Sequence, residues 1–375
     1  MKFQVERDVL AEAVAWTARA LPARPALPVL AGMRLQAQEE LTLSSFDYDV
    51  SAQATLPVAV EEPGDVLVSG RLLAEITRSL PPRAVEVATD GSRTSVTCGS
   101  AQFSLLMLPS EDYPALPDMP PAVGTVESDV FAAAVSQVAA AAGRDETTLP
   151  ALTGVRTEIE GEKLTLIATD RYRLAVRELR WNPAQADLTA AVLVPGKALA
   201  DTARALTAGA EVSIALALPG DSGDGMIGFE GGGRRTTTRL LGGEFPRYQA
   251  LLPDQVNATA ELPVSSLAES VKRVALVAER NTPVRLSFTA GQLLLEAGTG
   301  DEAQAVETLE ASYEGDDIQI AFNPTYLLDG LSAIDSDTAR ISFTAPSKPA
   351  VITGKPDGDT APDYRYLLMP IRLGS

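Results

Sequence analysis

The 375 residues include no histidine and one cysteine, Cys98. Without histidine there is no Ser-His-Asp triad, no Cys-His pair and no His-bearing zinc site. One thiol allows neither an intrachain disulfide nor a paired-cysteine redox or zinc site. Chemistry would rest on carboxylates, Lys, Tyr, Ser, Thr or Arg, so an enzyme is not the first expectation. Aromatic residues make up 5% of the chain and do not interleave with cations, which argues against a stacking platform for single strands. No apolar run approaches the roughly 18 residues of a membrane span, and Met1–Leu10 carries charge where a secretory signal would be apolar. A cytoplasmic protein with no membrane partner is expected. Cations are also scarce: 31 Lys and Arg face 50 Asp and Glu, a net charge of −19. Such a surface disfavours general binding to nucleic acid but leaves room for a local basic patch.

What the chain has is an internal period. The helical opening VERDVLAEAV from Val5 returns as VESDVFAAAV from Val126, and more loosely as VSSLAESV from Val264. The strand opening LTLSSFDYDV from Leu41 returns as LTLIATDRYRLAV from Leu164 and LLLEAGTGDEAQAV from Leu293. A second helix recurs as VSGRLLAEITRSL from Val68, VPGKALADTARAL from Val194 and FNPTYLLDGLSAI from Phe322. The pattern predicts an α+β protein of three similar domains, 1–122, 123–253 and 254–375, each with two helices packed on antiparallel sheets. Pro-rich stretches at 114–121 and 246–253 mark the joints. Hairpin turns are expected at Asp90-Gly91, Glu160-Gly161 and Ala290-Gly291.

Several motifs carry little. Gly223–Gly228 fits G-x-G-x-x-G but joins two strands, so it reads as a hairpin rather than a phosphate loop at a helix N-terminus. Asp47 and Asp49 alternate along what reads as a strand and so share a face. With Asp170 they motivate an alternative, a carboxylate- or metal-dependent hydrolase. Cys98 reads as a small core residue. The basic residues say more. Arg71 and Arg78 lie seven apart on one helix, opposite Leu72, Leu73, Ile76 and Leu80, and Lys197 and Arg204 repeat that spacing one period later. Arg19, Arg24, Lys272, Arg273 and Arg280 add charge near the first helices. A weakly basic, helix-lined surface suits phosphate contacts without base readout. A second alternative is a repeat-built scaffold that binds proteins and no DNA.

Six segments together resemble the bacterial DNA polymerase III beta subunit, the sliding-clamp family. They are RPALPVL (Arg24–Leu30), FSLLMLPSEDYPAL (Phe103–Leu116), ATDRYRLAV (Ala168–Val176), GEFPRYQALLP (Gly243–Pro253), YLLMPIRL (Tyr366–Leu373) and the opening MKFQVER. The resemblance spans Met1 to Leu373. It implies a head-to-tail homodimer, a ring of six similar domains with helices lining the hole, sliding on duplex DNA without sequence preference. The implied function is a non-enzymatic processivity factor without cofactor or metal. It would tether DNA polymerase III alpha, clamp-loader subunits, other polymerases and repair proteins through short clamp-binding peptides.

The resemblance also implies sites. A peptide pocket would take Leu152, Thr169, Arg171, Tyr172, Arg173 and Leu174 from the second domain, with Pro246 and Leu251. The carboxyl end would add Leu367, Leu368, Met369, Pro370 and Arg372. Arg24, Arg71, Arg78, Lys197 and Arg204 match positions associated with the DNA channel. Phe103 and Leu105, with Leu276 and Val277, match the subunit interface, where the strand at 103–107 would be a pairing edge. Arg171-Tyr172 stands where many members have Gly-His, which implies a narrower or more basic rim. Ala250 stands where some members carry a basic residue. The segment Gly354–Asp363 is longer than usual, Gly374-Ser375 extends past the usual terminal Leu, and Asp145–Pro150 lacks the aromatic and amide residues some members present to DNA.

Overall fold

The computed structural model describes residues 1–375 except 145–148, 208, 221–224, 254, 279–281, 299–302, 356–361 and 373–375. Two compact units emerge: Met1–Ala132 with Trp181–Ala186 and Ala198–Leu240, and Ala133–Arg180 with Asp187–Lys197 and Leu241–Ser375. The middle third contributes to both, because its strands extend sheets on either side. In the first unit Arg234–Arg239 pairs with Val50–Leu56, antiparallel, with Thr238 opposite Val50. In the second, Tyr364–Leu368 pairs with Arg173–Arg180, with Leu368 opposite Arg173. The first unit carries one 14-stranded sheet; the second carries sheets of nine and four strands.

Six α-helices stand among the described residues: α1 (Arg7–Thr17), α2 (Gly70–Ser79), α3 (Ser128–Ala139), α4 (Gly196–Ala205), α5 (Val264–Val274) and α6 (Pro324–Ser332). Each third of the chain thus has two helices, as the period predicts. Burial follows helical spacing. In α5 Leu267, Ser270, Val271 and Val274 face the core. In α1 Leu10, Ala13, Val14, Trp16 and Thr17 do, while Val9 stays 44% exposed. On α2 Leu73 and Ile76 are buried but Leu72 is 46% exposed, so it does not join the apolar face expected of it. Adjacent residues lie about 100° apart on a helix, and the buried arc of α2 is too narrow to include both leucines. None of the described helices is long and apolar enough to cross a membrane.

The turns at Asp90-Gly91, Glu160-Gly161 and Ala290-Gly291 form as expected, each glycine at positive φ. Cys98 is buried in the strand Arg93–Cys98. The Gly223–Gly228 segment joins the antiparallel strands Glu211–Ala217 and Met226–Gly231, and Gly223-Asp224 lies outside the described residues. Asp47 and Asp49 require correction. They do not alternate along a strand, because Leu41–Phe46 ends before them. Asp47 Oδ1 instead accepts from the Asp49 and Val50 amides at 3.0 and 2.7 Å, with Tyr48 at φ 77°. The carboxylate closes a turn, a task for which Asp is well suited.

Candidate functional site

The same turn recurs 123 residues later and builds one side of a cleft. Asp170 Oδ1 accepts from the Tyr172 and Arg173 amides at 3.0 and 3.1 Å, and Arg171 has φ 79°. The Asp170 amide donates to the Arg173 carbonyl, as that of Asp47 does to Val50. Thr169, 3% exposed, locks the base: its hydroxyl donates to the Arg173 carbonyl at 2.6 Å and accepts from the Arg171 amide. Left-handed φ is disfavoured for a residue with a Cβ, so this point would suit glycine better than arginine.

Arg173 is the centre of the arrangement. Its side chain is 4% exposed. Nε donates to Asp170 at 3.0 Å, a second nitrogen bonds Asp329 of α6, and Cζ lies 4.3 Å from the centre of the Tyr326 ring. Burial pulls the guanidinium down, but the Tyr366 hydroxyl, Asp329 and Asp170 outweigh it and raise its proton affinity. Burial also raises the Tyr366 hydroxyl above its ordinary range; that group donates to the Tyr326 carbonyl at 2.8 Å. Helix α6 reaches this close because residue 330 is glycine: a Cβ there would sit 2.5 Å from the Tyr366 ring. Asn323 caps α6, its side chain accepting from the Thr325 and Tyr326 amides.

The resulting cleft has a volume of about 350 Å³ and is lined by Leu149, Leu152, Arg144, Tyr172, Tyr326 and the Arg171–Arg173 turn, among others. Tyr172, 56% exposed, stacks on Tyr326 with ring centres 6.3 Å apart. The C-terminal segment is tied to the turn, the Met369 amide donating to the Tyr172 carbonyl at 2.9 Å. Of the residues the sequence singled out, Leu152, Arg171, Tyr172 and Arg173 line this cleft. Leu174 and Leu367 instead join Ile167, Val176 and Tyr248 in a buried cluster packed by Phe245 and Leu252. Pro246, Met369 and Leu251 are exposed, the last two at 39% and 45%, and Arg372 is exposed at the end of the described chain. Pro370 is half-buried. Leu368 is fully buried. At 0% exposure it offers no surface to a ligand.

Sequence reading missed Tyr326 and Asp329. A signal existed: Glu75, Asp201 and Asp329 occupy the same place in the three repeats of the second helix.

The five residues expected to face a DNA channel, Arg24, Arg71, Arg78, Lys197 and Arg204, are all exposed. Arg71 donates to the Pro22 carbonyl at 2.8 Å, and Arg204 pairs with Asp201 at 3.2 Å. Arg78 borders a smaller cleft between α1 and α2 with Arg7, Asp8 and Glu12. Two other cations are already engaged. Arg19 donates to the Asp201 carbonyl beside Trp16, and Arg273 binds Glu307 and Ser270. Arg280 lies outside the described residues.

At the interface candidates, strand Ala101–Leu108 pairs with Arg93–Cys98 along one side. On its other side, among the described residues, only Met107 and Leu108 pair, with Val68 and Leu67. Phe103 is 37% and Leu106 60% exposed. Leu105, by contrast, is 2% exposed and points into its own core, so Leu106 is the leucine this edge presents. Leu276 is 84% exposed and Val277 half-buried. Strand Ala305–Glu310 ends the four-stranded sheet and exposes Val306 at 65%.

Two helices in each third of the chain, packed on antiparallel sheets that run on from one third to the next, are the architecture of a multi-domain clamp. Models of the DNA polymerase III beta subunit match this chain in three places: the N-terminal domain over 1–117, the central domain over 125–247 and the C-terminal domain over 249–372. The chain belongs to that family, the beta sliding clamps. It is 62% identical over 376 residues to the beta sliding clamp of Streptomyces coelicolor, covering all of both chains. It is 47% identical to the beta sliding clamp homolog GriR of Streptomyces muensis, again over the full length of both. Among solved structures, the Bacillus subtilis DNA polymerase sliding clamp superposes with a TM-score of 0.89 at 26% identity. The Pseudomonas aeruginosa DnaN sliding clamp bound to griselimycin does so with 0.89 at 27%; both cover the whole of each chain. The hydrolase alternative finds no support in these relatives or in Asp47 and Asp170, whose carboxylates hold turns.

Proposed function

We propose that two copies of this chain close head to tail into a ring around duplex DNA and hold replication proteins on it as a processivity factor, not a catalyst. The full-length match to sliding clamps, in three successive domain models, carries this reading. In it the functional domains are 1–122, 123–253 and 254–375. The ring closes by pairing the open edge of Ala101–Leu108 with the edge strand Ala305–Glu310 of the other copy. Phe103, Leu106, Leu276 and Val277 supply apolar contact, and backbone groups left open in one chain are satisfied by the next.

Arg24, Arg71, Arg78, Lys197 and Arg204 face the DNA. Exposed cations, few in number, suit a sliding ring, because tight phosphate contacts would slow movement. The −19 charge repels DNA from the remaining surface and favours threading. In the cell the protein works in the cytoplasm. Polymerase III alpha, clamp-loader subunits, other polymerases and repair proteins dock short peptides on the cleft at Tyr172 and on the apolar surface at Pro246, Leu251 and Met369. Leu and Met surfaces beside a few fixed polar groups suit an extended peptide with Leu and aromatic anchors.

A fluorescence-polarisation titration with a Gln-Leu-x-Leu-Phe peptide tests the docking site. Saturable binding that Met369→Ala weakens about tenfold, ~1.4 kcal/mol, is expected. Binding unaffected by the substitution places the peptide elsewhere. Griselimycin, bound by the Pseudomonas aeruginosa clamp, is expected to compete.

A further inference from the structure

We propose that Arg171 makes the cleft selective for peptides carrying an acidic residue next to their apolar anchors; this rests on the docking site proposed above. Three guanidinium groups and two carboxylates line the cleft: Arg144, Arg171, Arg173, Asp170 and Asp329. The carboxylates are committed. Asp170 takes two backbone amides on one oxygen and Arg173 Nε on the other, and Asp329 bonds Arg173. Arg173 is correspondingly neutralised and buried. Arg171 and Arg144 are both exposed on the cleft, so its rim carries a positive excess. The chain as a whole is strongly negative, which makes a local cationic rim a distinguishing feature.

The repeat provides an internal comparison. The equivalent turn in the first third has the same two amide-to-carboxylate bonds and the same left-handed residue, yet carries Tyr48 and Asp49 where the cleft has Arg171 and Tyr172. Turn formation therefore does not call for a guanidinium at 171. That side chain is free to serve recognition. Tyr172, packed against Tyr326 with ring planes 27° apart, supplies an apolar wall beside it. A peptide that lays a Leu or aromatic side chain against Tyr172 brings its neighbouring residue towards Arg171, and a carboxylate there gains a charge-assisted bond. Charge of this kind mainly sets discrimination between peptides rather than total affinity.

The test uses fluorescent peptides with identical Leu and Phe anchors and one Asp immediately outside them, each with its Asp→Asn twin. One pair is made for each end of the anchor segment. Titrations run on the wild-type chain, on Arg171→Gly and on Arg171→Gln, at low and high salt. For one pair the wild type is expected to bind the Asp peptide about fivefold tighter than its twin, with the difference shrinking at high salt. In both variants the ratio should fall below about twofold while anchor binding persists. Twins that bind the wild type equally in both pairs overturn the charge proposal and leave the docking site standing. A ratio unchanged in both variants assigns the selectivity to another residue and also overturns it. No binding of any peptide to the wild type overturns the docking site itself, and this proposal with it.

Discussion

At residue 171 the fold holds an arginine in a conformation that suits glycine. Left-handed backbone costs a residue with a Cβ about 1–2 kcal/mol, and glycine loses about 0.5–1 kcal/mol through its freer unfolded chain. Arg171→Gly is therefore expected to stabilise the protein by about 0.5–1 kcal/mol in urea unfolding. A neutral or negative result would show that the Arg171 side chain contributes to stability in the free protein. Arg173 behaves oppositely. Removing it leaves Asp170 and Asp329 without their cation, and breaking such a pair costs about 3–5 kcal/mol when fully buried. Asp329 is a third exposed, so about 3 kcal/mol is expected for Arg173→Ala. A loss under about 1 kcal/mol would mean the network is only a surface pair. The sequence made Arg173 visible through its motif. It did not reveal the contact with Asp329, because 156 residues separate the two and the acid that recurs at that place in the second helices does not by itself name its partner.

Among the elements, the strand Ala258–Pro263 shows how charge ties strands together. Glu261 accepts from Arg340 of the neighbouring strand and pairs with Lys355 at 2.8 Å. Bonds from Lys355 and Arg340 hold its carboxyl below the ordinary carboxylate range. A depressed folded value means that the stabilisation is complete above the unfolded carboxyl value and is lost as pH falls through the folded one. Glu261→Gln should therefore lower the melting temperature at neutral pH, with the difference from wild type vanishing in strong acid. A difference that persists there would assign the effect to packing.

Elements with periodic burial were the most legible. The six helices and the glycine hairpins were readable because amphipathic spacing and turn chemistry are local. Strand Ala101–Leu108 shows the limit. The motif at 103–107 marked an edge, but Leu105 and Leu106 differ only in which side of the pleat they occupy. That depends on the register Thr94↔Leu105, which is a tertiary fact. Asp47 and Asp49 show the same limit, since an alternating D-x-D reads as a strand until the chain is seen to turn.

For the whole molecule, the period of the sequence and the units of packing differ. Three family domains succeed one another, yet the middle third lends strands to both compact units. Antiparallel sheets run on across both joints, each within one unit. Leu276→Asp, at a position 84% exposed in the single chain, should leave the melting temperature of the protomer near that of wild type. In sedimentation velocity it should shift dimer to monomer. A variant that stays dimeric would move the interface elsewhere.

The ring itself is tested most directly by topology. The protein is loaded by a clamp loader onto a singly nicked circular plasmid and isolated by gel filtration, and half the sample is then linearised at one restriction site. The account predicts that the protein stays with the circles and runs off the linear DNA, with both outcomes insensitive to sequence. Equal retention on circular and linear DNA would mean that it holds DNA by contact rather than by encirclement, and would contradict the account.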